Sequence, residues 1–77
     1  MIKWQIELNT MNEIQKFVGI TTKYKEDLFV ENEDKTFRVS AKSMMGMIYS
    51  TEWGSKVYLT AETEPKGLFT ELSEYIK

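Results

Sequence analysis

The sequence contains no cysteine and no histidine. Without cysteine the chain forms neither a disulfide nor a thiolate metal site, and a small chain without disulfides suits a reducing cytosol at least as well as secretion. Without histidine it lacks the side chain that most often acts as a general acid or base near neutral pH and as a ligand of transition metals. We therefore expect no enzyme activity, no bound metal and no other cofactor.

Charge and hydropathy argue against two further classes of protein. Ten Lys and Arg residues against twelve Asp and Glu residues give a net charge of -2 without a long basic run, whereas nucleic-acid-binding domains concentrate positive charge. The N-terminus alternates apolar and polar residues instead of running apolar, so it resembles neither a signal peptide nor a membrane span. We expect a soluble, cytoplasmic protein that binds neither nucleic acid nor membranes directly.

The length of 77 residues predicts a single domain that spans residues 1–77, since a second core needs a longer chain. With 42% hydrophobic and 13% aromatic residues, the composition is sufficient for a small packed core. The first strand is predicted from Ile2 to Leu8, because apolar residues alternate there with polar ones. Residues 27–31 and 36–40 predict a hairpin around the polar turn 32–35, and residues 56–61 predict a fourth strand after Gly54.

Three helices are predicted between and after these strands. Residues 10–13 fit a capping box. The helix that follows is expected to end near residues 22–24, and Gly19 is an alternative candidate for its C-cap. A short helix is predicted over residues 41–50, with Ser40 or Ser43 as its N-cap. A last helix is predicted from the capping and proline residues at 63–65 onwards. Apolar residues expected on the buried face of the first helix are Met11, Ile14, Phe17 and Val18; on that of the last they are Leu68, Leu72, Tyr75 and Ile76.

The predicted order βαββαβα gives four strands that each have one apolar face, together with helices that must bury theirs. An α+β fold satisfies every element if the four strands form one antiparallel sheet whose apolar face is covered by the helices.

The segment Lys42-Ser-Met-Met-Gly-Met, with residues 37–40 before it and Lys56-Val-Tyr-Leu-Thr-Ala-Glu after it, resembles the HPr family. These are the small phosphocarrier proteins of the bacterial sugar phosphotransferase system. Phe17-Val18 falls where the first helix of that family has a similar pair, and the resemblance covers most of the chain. It implies the HPr-like open-faced β-sandwich.

The chain departs from that family at the site of phosphotransfer. The family carries a Gly-Leu-His-x-Arg-Pro segment between its first strand and first helix, where this chain has only residues 9–12 between Leu8 and Glu13. The family's histidine ring is the nucleophile, and helix N-terminal amides and the arginine stabilise its phosphate. Thr10 lies nearest to that position, but a hydroxyl without an adjacent base is a poor nucleophile, so we expect Thr10 to cap the helix.

Ser43 matches the serine that HPr kinase/phosphorylase modifies in the Gram-positive branch of the family. The catabolite-repression HPr-like proteins keep this serine and lack the histidine, and their phosphoserine form helps a transcriptional regulator to bind. The resemblance therefore implies a regulatory phosphorylation site at Ser43, although helix capping alone accounts for a serine there. The family's contact with the regulator also uses the arginine beside the histidine, where this chain offers Asn12.

Three methionines follow Ser43 and are candidates for binding a protein partner, because flexible thioethers adapt to varied surfaces. They are Met44, Met45 and Met47, of which we expect one or two to be exposed and the rest to join the core. Tyr49 and Trp53 flank the next turn and are expected to cover the sheet edge.

Two functions follow from the sequence: a non-phosphocarrier regulatory protein of the HPr family, or an interaction module that kept the scaffold without a role in the phosphotransferase system. The sequence leaves the oligomeric state open.

Overall fold

The order of the elements along the chain is the one that the sequence predicts. The structure is a computed structural model that describes residues 1–51 and 56–77, so the predictions for Trp53 and Gly54 lie outside the described residues. The strands are β1 (Ile2–Ile6), β2 (Phe29–Asn32), β3 (Arg38–Ser40) and β4 (Val57–Ala61). The helices are α1 (Met11–Thr21), α2 (Met44–Thr51) and α3 (Leu68–Leu72), and a 3-10 turn (Ser73–Tyr75) follows α3.

The strands form one sheet in the order β1-β4-β2-β3, and every pair is antiparallel. Because residues that face each other across antiparallel strands share one side of the sheet, the register defines its two faces. The helix-covered face carries Trp4, Leu59, Val30 and Val39 in one row, and the open face carries Lys3, Thr60, Phe29 and Ser40 in the next. The predicted α+β architecture, a four-stranded antiparallel sheet under helices, is confirmed.

The core lies between the apolar face of the sheet and the helices. Each helix contributes at least one fully buried side chain, and removing a side chain of this size from water stabilises the fold by about 1.5–3 kcal/mol. The fully buried residues include Phe17, Val30, Met47, Leu59, Leu68 and Leu72. Met11 was predicted to join them but is 50% exposed, because it is the first residue of α1 and the buried face of the helix begins one turn later at Ile14.

Helix α1 begins at the predicted capping box but ends later than Gly19. The C-cap is Thr22, which lies in the predicted range of residues 22–24, whereas the alternative of a C-cap at Gly19 was wrong. The helix continues because Thr21 is held from two sides. Its buried hydroxyl donates to the carbonyl oxygen of Ala41 at 2.7 Å and to that of Val18 at 3.1 Å, which anchors the end of α1 to the segment before α2.

Helix α3 begins at Leu68, and the predicted start at residues 63–65 was wrong. The carbonyl oxygen of Pro65 instead accepts the amide of Leu68 at 3.2 Å in a turn. Gly67 is the N-cap with φ at 88°, a left-handed conformation that residues with a Cβ rarely adopt. The turn at Gly67 therefore sets where α3 starts.

The turn between β2 and β3 is organised by Asn32, which was predicted to lie in the turn but is the last residue of β2 and is buried. Its side-chain NH₂ group donates to Oδ1 of Asp34 at 2.6 Å and also to the hydroxyl of Thr36, while its side-chain Oδ1 accepts the backbone amide of Phe37 at 3.2 Å. The asparagine side chain thus replaces the ladder hydrogen bonds that end at the turn.

The last residues of the chain pair with β1. The amide of Glu7 donates to the carbonyl oxygen of Tyr75, and the amide of Lys77 donates to that of Gln5, both at 2.8 Å. The Lys77 ammonium lies 2.9 Å from a Glu7 carboxylate oxygen, and its hydrogen bond holds the pKa of Glu7 below the ordinary value. These contacts cover the outer edge of β1 at its C-terminal end.

Candidate functional site

The start of α1 is capped by its own side chains. Oε1 of Glu13 accepts the amides of Asn9 at 2.7 Å and Thr10 at 3.1 Å, and the Thr10 hydroxyl accepts the amide of Glu13 at 3.1 Å. The predicted role of Thr10 as a cap is confirmed. A carboxylate therefore lies at the positive end of the α1 dipole, on amides that an anionic ligand would otherwise use.

Ser43 caps α2. Its hydroxyl oxygen accepts the amide of Gly46 at 3.1 Å, and its carbonyl oxygen accepts that of Met47 at 2.9 Å. Of the two serines predicted as the cap, Ser43 is therefore the one that fills this position, whereas the Ser40 hydroxyl accepts the amide of Lys42 at 3.2 Å. The Ser43 residue is half-buried, so part of it faces solvent.

The first turn of α2 differs in charge from that of α1. It holds no acidic residue, and within residues 1–51 and 56–77 no acceptor takes the amides of Met44 and Met45. These are among the amides that a helix start leaves without an internal partner, and the helix dipole adds positive potential there. The start of α2 can accept a negative charge that the start of α1 already has.

Gly46 lets α2 approach the sheet closely. A Cβ atom at this position would lie 3.0 Å from Cβ of Val39 and 3.3 Å from Oγ of Ser43. Both distances are tighter than most real Cβ contacts, so a methyl group on Gly46 would require Val39 and Ser43 to shift. The signal in the sequence was a single glycine within an apolar run, which did not reveal what the glycine contacts.

The three methionines have different surroundings. Met45 is 82% exposed, Met47 is completely buried, and Met44 is partly buried against the core. Positions 45 and 47 point in directions about 200° apart on a helix, so one faces solvent and the other faces the sheet. Met47 is a core residue and is not accessible to a partner, which leaves Met45 as the exposed member of the three candidates.

Tyr49 lies one helical turn after Met45 and is 48% exposed. Its ring meets the ring of Phe37 edge to face, with 6.0 Å between the centroids. Because Phe37 immediately precedes β3, Tyr49 covers the start of the edge strand, as predicted. Met45 and Tyr49 together form an exposed apolar stripe on α2.

Lys42 makes a contact that the sequence did not reveal. Its ammonium group donates to the carbonyl oxygen of Tyr24, which lies in the loop between α1 and β2. The neighbouring Lys23 lies 2.8 Å from Glu71 of α3. The hydrogen bond of this pair raises the pKa of Lys23 and lowers that of Glu71. No local pattern predicts a bond between residues 18 positions apart.

The open face of the sheet carries a shallow groove of about 240 Å³. Its floor includes Phe29, whose ring is covered by the Arg38 guanidinium at 3.9 Å, a favourable cation-π geometry. The other lining residues are Glu26, Asp27, Glu62 and Thr63. Within the described ranges no three acidic, histidine or cysteine side chains are placed to hold a metal ion. No helix among those residues is both long and apolar enough to span a membrane.

Comparison with known proteins gives one close structural likeness. No family model and no curated protein matches the sequence. The crystal structure of HPr-C-His from Thermoanaerobacter tengcongensis is similar over 96% of this chain and 89% of that chain, with a TM-score of 0.70 and 24% sequence identity. The chain has the HPr-like fold. At this identity the likeness establishes the fold, and function must be argued from the site.

Proposed function

We propose that this chain is a cytoplasmic, non-phosphocarrier protein of the HPr family that regulates or binds proteins linked to the sugar phosphotransferase system. Ser43 is its phosphorylation site, and its partner is an HPr kinase/phosphorylase or a transcriptional regulator. One contrast carries the proposal: the start of α1 already holds the Glu13 carboxylate, whereas the start of α2 carries a capping serine and no acidic residue.

The α1 start is unsuited to carrying a high-energy phosphoryl group. The chain has no histidine to form a phosphoramidate, and a phosphate ester on Thr10 would lack the high transfer potential of phosphohistidine. A phosphoryl group beside Thr10 would meet the like charge of the Glu13 carboxylate, which takes two of the local amides. These contacts support a protein that does not relay phosphate.

The α2 start is suited to a phosphate monoester. A phosphate on Ser43 adds a charge of about -1.5 to -2 and three acceptor oxygens. The amides of Met44 and Met45 and the helix dipole are favourable partners for it. The exposed Met45 lies two residues away and provides an apolar anchor, so a partner that reads both features distinguishes the modified from the unmodified form.

The kinase assay tests the modification directly. Purified protein is incubated with HPr kinase/phosphorylase and ATP, and its intact mass is measured. We expect the mass gain of one phosphate group in the wild type and in Ser40→Ala, which is the matched control three residues upstream, but none in Ser43→Ala. An unchanged wild-type mass would remove the kinase switch from the proposal.

A relay assay tests the proposed loss of carrier activity. Incubation with enzyme I and phosphoenolpyruvate should leave no acid-labile phosphate on the protein, since no imidazole is available. Acid-labile phosphate on the wild-type chain would contradict the proposed loss of carrier activity.

A second candidate is an interaction module on the HPr scaffold that has no role in the phosphotransferase system. The short segment 9–12, in which Asn9 and Thr10 take part in capping α1, favours it because this loop differs most from the family pattern. A failed kinase assay on correctly folded protein would favour this second candidate.

A further inference from the structure

The loop that connects α1 with β2, residues 22–28, is attached to the segment that precedes Ser43. At one end of the loop the Thr21 hydroxyl donates to the carbonyl oxygen of Ala41 at 2.7 Å. At the other end the amide of Ala41 donates to the carbonyl oxygen of Leu28 at 2.8 Å. Between them, the Lys42 ammonium donates to the carbonyl oxygen of Tyr24. Three contacts therefore hold the loop against residues 41 and 42.

The Lys42 contact differs in kind from the other two. Thr21, Leu28 and Ala41 are buried and neutral, so their bonds are protected from competition. Lys42 is half-buried, and its charge is on a flexible four-carbon stem that can reorient. A neutral carbonyl is a weaker partner for an ammonium group than a phosphate that carries nearly two negative charges. Of the three contacts, the central one is the most open to replacement by an anion.

We propose that Lys42 is the positioning residue that couples modification of Ser43 to this loop. When Ser43 carries a phosphate, the Lys42 ammonium leaves the Tyr24 carbonyl and pairs with the phosphate on the adjacent residue. The backbone at Tyr24 then loses its contact with residue 42, while the ends of the loop and the ion pair between Lys23 and Glu71 stay in place. This inference rests on the proposed function, since it requires a phosphate at Ser43.

The released loop reaches the opposite side of the sheet. Glu26 and Asp27 belong to it and line the groove on the open face, while Lys23 contacts Glu71 on α3. Ser43 lies on the helix-covered side. The coupling therefore transmits a charge change at the start of α2 to a surface that no phosphate on Ser43 touches directly.

Hydrogen exchange tests the coupling without any kinase. Phosphoserine is incorporated at position 43 during protein synthesis, and exchange is followed by NMR at the amides of Lys23 and Tyr24, which donate to the carbonyl oxygens of Ile20 and Thr21. We expect these amides to exchange about tenfold faster in the phosphorylated protein, which is the effect of losing one charge-assisted hydrogen bond. Lys42→Gln should show the same acceleration without phosphate, and phosphate should then add nothing.

Lys25→Gln is the matched control, because it removes a positive charge from the same loop at an exposed residue. It should leave the phosphate effect intact. Unchanged exchange on phosphorylation, or an effect of phosphate that persists in Lys42→Gln, would overturn the inference. If Lys42→Gln does not fold, the comparison between the unmodified and the Ser43-phosphorylated wild-type protein decides. Acetylation by an amine-reactive reagent is then the second readout, and phosphorylation should change the acetylation rate of Lys42 relative to that of Lys25. Because this experiment uses no kinase, failure of the coupling can be distinguished from failure of the kinase assay.

Discussion

The α-carbon of Gly46 lies against the side chain of Val39, so closely that a methyl group on Gly46 would stand 3.0 Å from Cβ of Val39. The same methyl group would press on Oγ of Ser43 at 3.3 Å. One glycine therefore sets both the distance between α2 and β3 and the space around the capping hydroxyl.

We predict that Gly46→Ala lowers the free energy of unfolding by about 1–2 kcal/mol. Crowding a packed site costs about 1–3 kcal/mol, and the better helix propensity of alanine offsets less than about 1 kcal/mol of this. Gly19→Ala is the matched control, because nothing lies within 4 Å of a Cβ at that helical position. It should raise the free energy of unfolding by about 0.5–1 kcal/mol. Urea denaturation measures the change in the free energy of unfolding for both variants. A change of the same sign in Gly46→Ala and Gly19→Ala would contradict the close approach of α2 to β3.

The buried hydroxyl of Thr21 gives a second prediction. Thr21→Val keeps the shape of the side chain but removes the donor to the carbonyl oxygen of Ala41. Leaving that buried acceptor without a partner should lower the free energy of unfolding by about 1–3 kcal/mol. Thr22→Val also removes a hydroxyl that bonds a helix carbonyl, but this residue is exposed and water can replace the bond. A loss of stability in Thr22→Val as large as that in Thr21→Val would contradict the special role of the buried Thr21 hydroxyl.

The capping box gives a third prediction. Thr10→Ala removes the acceptor of the Glu13 amide and should lower the free energy of unfolding by about 1 kcal/mol. Asn12→Ala changes an exposed residue in the same turn and should alter stability by less than about 0.5 kcal/mol. Thermal denaturation followed by circular dichroism compares the two. A Thr10→Ala protein as stable as the wild type would show that the box contributes nothing.

Alkaline pH should destabilise the protein through Tyr75. Burial of this tyrosine, with smaller effects of the carboxylates of Glu74 and Glu13, raises the pKa of its hydroxyl to about 12. A raised pKa in the folded state favours the neutral form, so its contribution is complete below the unfolded value of about 10 and is lost as the pH rises through 12. Over this window we expect a loss of about 2–3 kcal/mol.

The measurement is the free energy of unfolding between pH 9 and pH 12. Tyr75→Phe has no ionisable group at this position, so its stability should decline less steeply over that range. Tyr58→Phe, which removes a hydroxyl from the open face of the sheet, is the control and should keep the wild-type slope. Parallel curves for wild type and Tyr75→Phe would exclude Tyr75 as the group responsible.

The parts of the fold that were predicted correctly depend on local patterns. Alternation defines the sheet faces because each strand has one wet side, and the capping box at Thr10 involves residues only three apart. The start of α3 was predicted wrongly for a related reason. Residues 63–65 have the composition of a helix start, but the left-handed turn at Gly67 determines the first helical residue, and only the folded chain shows that Pro65 is buried.

The candidate site was predicted in part. A serine cap for α2 follows from residue type, but the sequence left the choice between Ser40 and Ser43 open. It also predicted one or two exposed methionines without indicating that Met45 is one of them. The bond between Lys42 and Tyr24 and the contact between Gly46 and Val39 depend on how elements meet in space. Side-chain pairs across such distances leave no periodic trace in one sequence, so they emerge only from the structure.

The pairing of the last residues with β1 has a consequence for assembly. Since Lys77 and Ile76 pair with the end of that strand, the carbonyl oxygen of Gln5 and the amide of Glu7 are unavailable as a template for another polypeptide. At the opposite margin of the sheet, strand addition and any fibril that grows by it would begin along β3, where only three residues offer a ladder. So short a margin is a poor nucleus for intermolecular β-structure.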